Sequence, residues 1–141
     1  MRYESGVHDQ WTEDLRLGVN GVDGEHIAIF HVCDRLNQAI ARTTTAAECD
    51  FELRFLANYV GRHFEGEEQL MRSVDYPALK RHQAAHEKYR QELKALIARA
   101  ATDHVVLEAI AQSVTSWLTT HIRGEDKALA TYLATKRGAA K

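Results

Sequence analysis

The fold is decided by the stretch LRFLANYVGRHFEGEEQLM, residues 53–71. Apolar side chains recur in it every three or four residues, which is the period of a helix with one buried face. The same stripe carries two polar residues, His63 and Glu67, four positions apart. The whole stripe consists of Leu53, Phe55, Leu56, Tyr59, Val60, His63, Glu67, Leu70 and Met71. The stretch therefore predicts an amphipathic helix that turns a histidine and a carboxylate toward the core.

Three other segments, 22–40, 79–97 and 107–133, show the same helical period. No segment alternates between apolar and polar residues with the β-branched enrichment of a strand. Four amphipathic helices with short connections predict an all-α fold, a four-helix up-down-up-down antiparallel bundle. Residues 1–19 are predicted to form an irregular N-terminal arm with Trp11 and Leu17 as anchors.

Local signals predict where the helices begin. Thr45 and Glu48 have the spacing of a capping box before the second helix. Asp75 is expected to cap the third helix, with Pro77 in its first turn. Asp103 is expected to help cap the fourth helix.

Composition argues against several classes of protein. The chain has 141 residues, 45% apolar and 27% charged, which is ordinary for one globular domain. A net charge of −2 argues against nucleic-acid binding, and no apolar run approaches the roughly 18 residues of a membrane span. Two cysteines and no visible signal peptide favour a cytoplasmic setting. We expect one domain over 1–141, with the bundle at about 20–135 and a frayed basic tail, KRGAAK.

The histidines are distributed in an unusual way. The chain has eight, and five lie on the inward stripes, at least one from each helix: His26, His63, His82, His86 and His121. One histidine on an apolar face is usually satisfied by a neighbouring polar group. Five buried imidazoles without partners would cost several kcal/mol, whereas a metal binds neutral imidazole nitrogen directly. The pattern therefore predicts a metal site in the core.

Two inward carboxylates complete the predicted ligand set. Glu67 is one, and regular α-helical geometry favours Glu125 over Asp126 as the other, since a residue at i+5 from His121 lies about 140° around the axis. Seven nitrogen and oxygen ligands exceed the four that one zinc ion usually takes, and they suit a dinuclear first-row site, with iron favoured. The sequence contains no Glu-x-x-His motif, so the site is histidine-rich and differs from the ferritin-like plan.

From about Trp11 to Leu133 the chain resembles the hemerythrin family, in its bacterial single-domain form. The upstream stretch WTEDLRLGVNGVD resembles the family's N-terminal arm. Four further stretches follow in the family's order: VDGEHIAIF with His26, HFEGEEQLM with His63 and Glu67, YPALKRHQAAH with His82 and His86, and HIRGEDKAL with His121 and Asp126.

The resemblance implies two iron ions per chain, joined by an oxo or hydroxo bridge. One iron would be bound by three imidazoles, those of His82, His86 and His121. The other would be bound by His26 and His63, and two carboxylates, Glu67 and Asp126, would bridge the pair. Six donors at one iron and five at the other would leave an open position for a small ligand.

The resemblance implies that the second carboxylate ligand is Asp126 and not Glu125, which lies one position earlier in the chain. We expect a wide turn or π-bulge near Gly124 to bring Asp126 onto the face of His121. Glu25 stands where the family usually has glutamine. It either hydrogen-bonds a ligand and tunes the site or is a solvated surface residue, and the second interpretation is favoured.

The function implied by the resemblance is reversible dioxygen binding, by an oxygen carrier, store or supplier that is not an enzyme. Its partners would be dioxygen and an unidentified oxygen-accepting protein. Two alternatives stay open: an oxygen or redox sensor module, and a di-iron enzyme acting on peroxide or nitric oxide. An apolar wall around the ligand is expected from six residues that equally fit plain core packing: Ile29, Phe30, Phe64, Trp117, Leu118 and Ile122.

Overall fold

A computed structural model describes residues 11–42, 45 and 47–140, and for 20 and 137–140 it describes the backbone alone. Its helices are α1 (Asn20–Ala41), α2 (Asp50–Ser73), α3 (Leu79–Ala100), α4 (His104–His121) and α5 (Lys127–Ala140). A π-helix, Ile122–Asp126, joins α4 to α5. Short 3-10 helices precede α1 and α2, at Glu13–Leu15 and Ala47–Cys49. The described residues form no strand.

The helices pack in a closed ring. Each of α1, α2 and α3 packs against the next helix in the sequence, and α4 packs back against α1. Because the connections are short, successive helices run in opposite directions. The predicted all-α up-down-up-down bundle is confirmed, with α4, the π-helix and α5 forming the fourth rod. No helix of the described chain combines the length and the apolar character that crossing a membrane would require.

The apolar core fills the bundle between the four rods. Leu36, Leu56, Leu107 and Ile110 are completely buried, and burial of each such side chain contributes about 1.5–3 kcal/mol. Cys33 belongs to the same core, and burial, together with the nearby Asp34 carboxylate, raises the pKa of its thiol to about 12. Cys33 is therefore a small core residue.

The arm before α1 is tied to it by the buried carboxylate of Asp23. The Leu17 N–H donates to Asp23 Oδ1 at 2.8 Å, and the Gly18 N–H donates to Oδ2 at 2.9 Å. Gly18 has a φ of +85°, which a residue with a side chain rarely adopts. Trp11 and Leu17 pack against the core as predicted. Leu15, which the sequence analysis missed, is buried more deeply than either.

The connection between α2 and α3 differs from the prediction. The third helix begins at Leu79, after Ala78 as its N-cap, so Asp75 as a cap and Pro77 in the first turn were wrong. Asp75 instead has a φ of 52°, a left-handed conformation that short polar side chains tolerate after a helix. The Tyr132 hydroxyl donates to the Asp75 carbonyl at 3.2 Å and to the preceding carbonyl at 2.8 Å. The turn is thus held in place by α5.

The structure also describes the capping box predicted before the second helix and the backbone of the C-terminal tail. The Glu48 N–H donates to the Thr45 hydroxyl at 3.3 Å, as a capping box requires, but it starts the 3-10 helix that leads into α2. The backbone of the tail that the sequence predicts to fray continues as α5 to Ala140.

The Asp103 cap of α4 provides a test of the fold. The N–H groups of Val105 and Val106 donate to Asp103 Oδ1 at 3.0 and 3.4 Å. Asp103→Ala is expected to lower the free energy of unfolding by about 1 kcal/mol, since two helix-end donors lose their acceptor. Urea unfolding followed by circular dichroism measures the change. Asp103→Asn keeps an acceptor and serves as the control; equal losses in both variants would contradict the cap.

Candidate metal centre

The bundle brings seven polar side chains into one buried cluster. Each is at most 3% exposed. Helix α1 supplies one, α2 two, α3 two, α4 one and the π-helix one: His26, His63, Glu67, His82, His86, His121 and Asp126. The structure thus places together all seven residues that the resemblance implies as ligands.

The donor atoms form two groups that share both carboxylates. The larger group is Glu67, His82, His86, His121 and Asp126, and the smaller is His26, His63, Glu67 and Asp126. Within each group the donor atoms all lie within 4.8 Å of one another. Asp126 faces both groups, because its Oδ1 lies 3.1 Å from His82 Nε2 and its Oδ2 lies 3.1 Å from His26 Nε2. The chain therefore offers five donors to one group and four to the other.

The larger group has the spacing of an octahedral metal site. With metal–nitrogen bonds of about 2.1 Å, adjacent donors of an octahedron lie about 3.0 Å apart and opposite donors about 4.2 Å apart. His121 Nε2 lies 3.0 Å from His82 Nε2 and 3.1 Å from His86 Nε2. Glu67 Oε1 lies 3.0 Å from His82 Nε2 and from His86 Nε2, but 3.9 Å from His121 Nε2. These distances would therefore suit an ion held by Glu67 and the three imidazoles together.

Asp126 would provide a fifth donor to the same ion. Its Oδ1 lies 3.1 Å from His82 Nε2 and 3.3 Å from His121 Nε2, so it is adjacent to both imidazoles. Five donors in this arrangement suit a six-coordinate first-row ion better than a tetrahedral one.

Most of these donor atoms lack a hydrogen bond within the protein. Both oxygens of Glu67 and of Asp126, both nitrogens of His26, and His63 Nε2 are buried without one. The short nitrogen–oxygen distances in the cluster therefore lack the angles that hydrogen bonds require. A buried polar atom left unsatisfied costs about 1–3 kcal/mol. A cation at the centre of each group would satisfy these atoms together, so the residues fit two metal ions.

Two further carboxylates hold the outer nitrogens of the histidine rings. The Nδ1 atoms of His63 and His86 lie 2.6 Å from Glu25 Oε1 and 2.8 Å from Glu68 Oε2. Such contacts fix a ring so that its Nε2 points at the metal, and they raise the basicity of that nitrogen. The side chain of Glu25 is 45% exposed, yet its bond to His63 supports the interpretation that the sequence analysis ranked second. Glu68 was missed, because its neighbour Glu67 carries the helical signal.

The carboxylates and imidazoles of the cluster shift each other's protonation. Burial and the charge of Asp126 raise the pKa of Glu67, but the imidazoles, led by His121, outweigh them and lower it to about 2. Burial also raises the pKa of Asp126, and His121, His26 and His82 together hold it well below its usual range. Burial lowers the pKa of His82 and His121, while Asp126 and Glu67 outweigh it and raise both to about 9.

The π-helix explains why Asp126 lies in the cluster and Glu125 does not. A π-turn carries one more residue than an α-turn, so the residue at i+5 returns to the face of His121. Asp126 is 1% exposed, whereas the Glu125 side chain is 32% exposed and its Oε1 lies 3.5 Å from His121 Nδ1. The prediction of Glu125 from α-helical geometry was wrong. The π-bulge expected near Gly124 is confirmed as Ile122–Asp126.

The six expected wall residues all lie in or against the core. Five are at most 3% exposed and Trp117 is partly buried. Phe64 stacks on His86 with ring centroids 4.1 Å apart, and Trp117 stacks on His121 at 4.4 Å. For the other four, Ile29, Phe30, Leu118 and Ile122, burial is shown, and a role in a ligand wall stays a prediction.

The two described histidines outside the cluster, His31 and His104, are exposed. His31 is exposed, as its position five residues after His26 predicts. His104 is exposed and lies 3.3 Å from Glu108 at the start of α4. His8 lies outside the described residues.

Metal binding is expected to release protons. The neighbouring carboxylates raise the pKa of His82 and His121 to about 9, so the metal-free cluster holds protons at pH 7, whereas a metal binds neutral imidazole. A divalent ion should therefore displace on the order of one to two protons per chain at pH 7. The apparent affinity should rise with pH up to about 9. Calorimetry in buffers of different ionisation enthalpy measures the release; a buffer-independent enthalpy would contradict it.

Comparison with known proteins is consistent with this geometry. The family model described as the hemerythrin HHE cation binding domain matches residues 17–133, a span that includes all seven cluster residues. A bacteriohemerythrin of Stenotrophomonas maltophilia is 28% identical over 120 residues, 85% of this chain and 78% of the relative. A bacteriohemerythrin of Pseudomonas aeruginosa is 27% identical with the same coverage. A myohemerythrin of Theromyzon tessulatum is 26% identical over 126 residues, 89% of this chain and 94% of the relative.

Proposed function

Because this chain belongs to the hemerythrin family, we propose that it binds dioxygen reversibly at a non-haem di-iron centre, as an oxygen carrier, store or supplier. The proposal is carried by the unequal division of the donors. One group offers five protein donors and the other offers four, with Glu67 and Asp126 common to both. Two ions that share carboxylates but differ in protein ligation suit the binding of one small molecule at the less ligated ion.

Each group has a distinct part in this proposal. The larger group, with three imidazoles, would hold one iron ion. The smaller group, with His26 and His63, would hold the second, where dioxygen is expected to bind. Bound iron would supply the electrons and the coordination position that dioxygen binding needs.

The protein's own contribution is to orient the ligands and exclude water. Glu25 and Glu68 fix the rings of His63 and His86, so that the metal-facing nitrogens need no rearrangement when a ligand arrives. Phe64 and Trp117 cover two imidazoles of the larger group, those of His86 and His121, with aromatic rings. A dry cluster limits proton entry, which favours release of dioxygen over irreversible oxidation.

The proposal is tested by cycling oxygen over the reduced, iron-loaded protein. We expect two iron ions per chain and a visible absorption band that appears with oxygen and disappears when it is removed. Steady consumption of oxygen, peroxide or nitric oxide would instead show a di-iron enzyme. Zinc in place of iron would contradict the assignment. A cytoplasmic location, a sensor role and an oxygen-accepting partner protein stay predictions.

A matched pair of variants tests the shared carboxylate. Asp126→Asn keeps the shape of the side chain but removes a charge that faces both groups, so the affinity for iron should fall by more than about 100-fold. The control is Glu125→Gln, which is adjacent in sequence and one-third exposed; its Oε1 lies 3.5 Å from the outer nitrogen of His121, so only a much smaller loss is expected. Iron content after dialysis and the oxygen-dependent band measure both. Equal losses in the two variants would contradict the role of the π-helix.

A further inference from the structure

A stack of aromatic rings leads away from the cluster at His121. The Trp117 ring lies on the His121 ring, with centroids 4.4 Å apart and an angle of 16° between the planes. The Tyr89 ring stacks in turn on the Trp117 ring, with centroids 4.5 Å apart and an angle of 11° between the planes. The Tyr89 hydroxyl is hydrogen-bonded to Ser113 Oγ at 3.0 Å. Three nearly parallel rings therefore connect a candidate metal ligand to a hydroxyl pair between α3 and α4.

The residue types in this stack distinguish it from the other ring contacts of the cluster. Phe64 stacks more closely on a ligand, 4.1 Å from His86 at 4°, but a phenyl ring does not give up an electron under conditions that oxidise indole or phenol. Trp and Tyr are the two aromatic side chains that lose one electron most readily. Because electron transfer slows steeply with distance, rings in contact exchange electrons fastest.

Burial shapes how the two residues would react. Tyr89 is 2% exposed, and this burial raises the pKa of its phenol to about 12, although Ser113 acts in the opposite direction. The phenol therefore stays protonated and must lose its proton when it loses an electron. Ser113 Oγ is in place as the first acceptor of that proton. Trp117 is only partly buried, so a small reductant in solution can reach it.

We propose that Trp117 and Tyr89 form a one-electron relay that delivers reducing equivalents to the metal centre when peroxide attacks it; this rests on the proposed function. Hydrogen peroxide accepts two electrons and two protons, its O–O bond breaks, and two water molecules form. With both iron ions already ferric, Trp117 gives one electron and its indole proton, and Tyr89 gives one electron and its phenolic proton. The products are two neutral side-chain radicals, and the iron ions finish in their starting oxidation state.

The relay has a protective purpose in this arrangement. Hydrogen peroxide would react beside five imidazoles. These rings are themselves oxidisable, and their oxidation would remove the metal ligands. Electrons drawn through His121 from Trp117 move the oxidising equivalents out of the cluster. A soluble reductant can then reduce the oxidised Trp117, because this side chain is only partly buried.

A second aromatic route exists and is less favourable. Tyr76 lies 6.4 Å from His82 at 70°, and Tyr132 lies 5.2 Å from Tyr76 at 61°. These rings meet edge-on and at longer distances than the Trp117 stack. Oxidation through Tyr76 and Tyr132 is therefore expected to be minor, and the two routes can be told apart by which residues are modified.

The test is to treat the ferric, iron-loaded full chain with hydrogen peroxide. Freeze-quenched samples should show an organic-radical EPR signal that changes when ring-deuterated tyrosine is incorporated. Peptide mass spectrometry should find oxidation products at Trp117 and Tyr89. Trp117→Phe should abolish the tyrosine radical, while Tyr89→Phe should remove only the tyrosine component. Trp11→Phe and Tyr132→Phe, which lie outside the stack, should leave the signal unchanged.

Several results would overturn the relay. They are an undiminished tyrosine radical in a folded, iron-loaded Trp117→Phe, modification of Tyr76 or Tyr132 in place of the stack, and an equal signal from iron-free protein. If Trp117→Phe does not fold, the sites modified in the unaltered chain decide the question. The oxygen-dependent band is recorded on a portion of the same preparation after its iron has been reduced. Its absence contradicts the proposed function, whereas a reversible band without oxidation of Trp117 and Tyr89 contradicts the relay alone.

Discussion

The structure depends on the attraction between two buried carboxylates, Glu67 and Asp126, and the imidazoles around them. A carboxylate that remains charged inside a bundle costs several kcal/mol unless opposite charge or a metal compensates it. Here each carboxylate faces histidines from several helices, and this holds its pKa low. The bundle can accept this cost because the rest of its interior, including Leu36, Leu56 and Leu107, is apolar and completely buried.

The outer carboxylates extend this arrangement from the cluster to the packing of the helices. Glu25 on α1 reaches His63 on α2, and Glu68 on α2 reaches His86 on α3. Each contact therefore joins two neighbouring rods at the level of the metal centre and fixes one ring in each group. Ligand orientation and helix packing are thus set by the same side chains, which favours a site that is formed before metal enters.

Helical periodicity was enough to predict the four rods, the five inward histidines and Glu67, because burial follows the 3.6-residue period wherever the helix is regular. It failed where the helix is not regular: at Asp126 the π-turn shifts the face by one residue, and only the resemblance pointed there. It also missed Glu68, whose role arises from a neighbouring helix, and the left-handed Asp75. Contacts between elements and local departures from α-geometry leave little trace in the spacing of apolar residues.

The π-turn has a consequence beyond the cluster, because it also fixes the rotation of everything that follows it. The extra residue turns α5 back by roughly 100° about its axis relative to an uninterrupted α-helix. At this rotation Leu129 is buried, and the Tyr132 hydroxyl donates to the carbonyls of Val74 and Asp75, which follow α2. The five residues 122–126 therefore determine both the position of Asp126 in the metal centre and the face that α5 presents to the rest of the bundle.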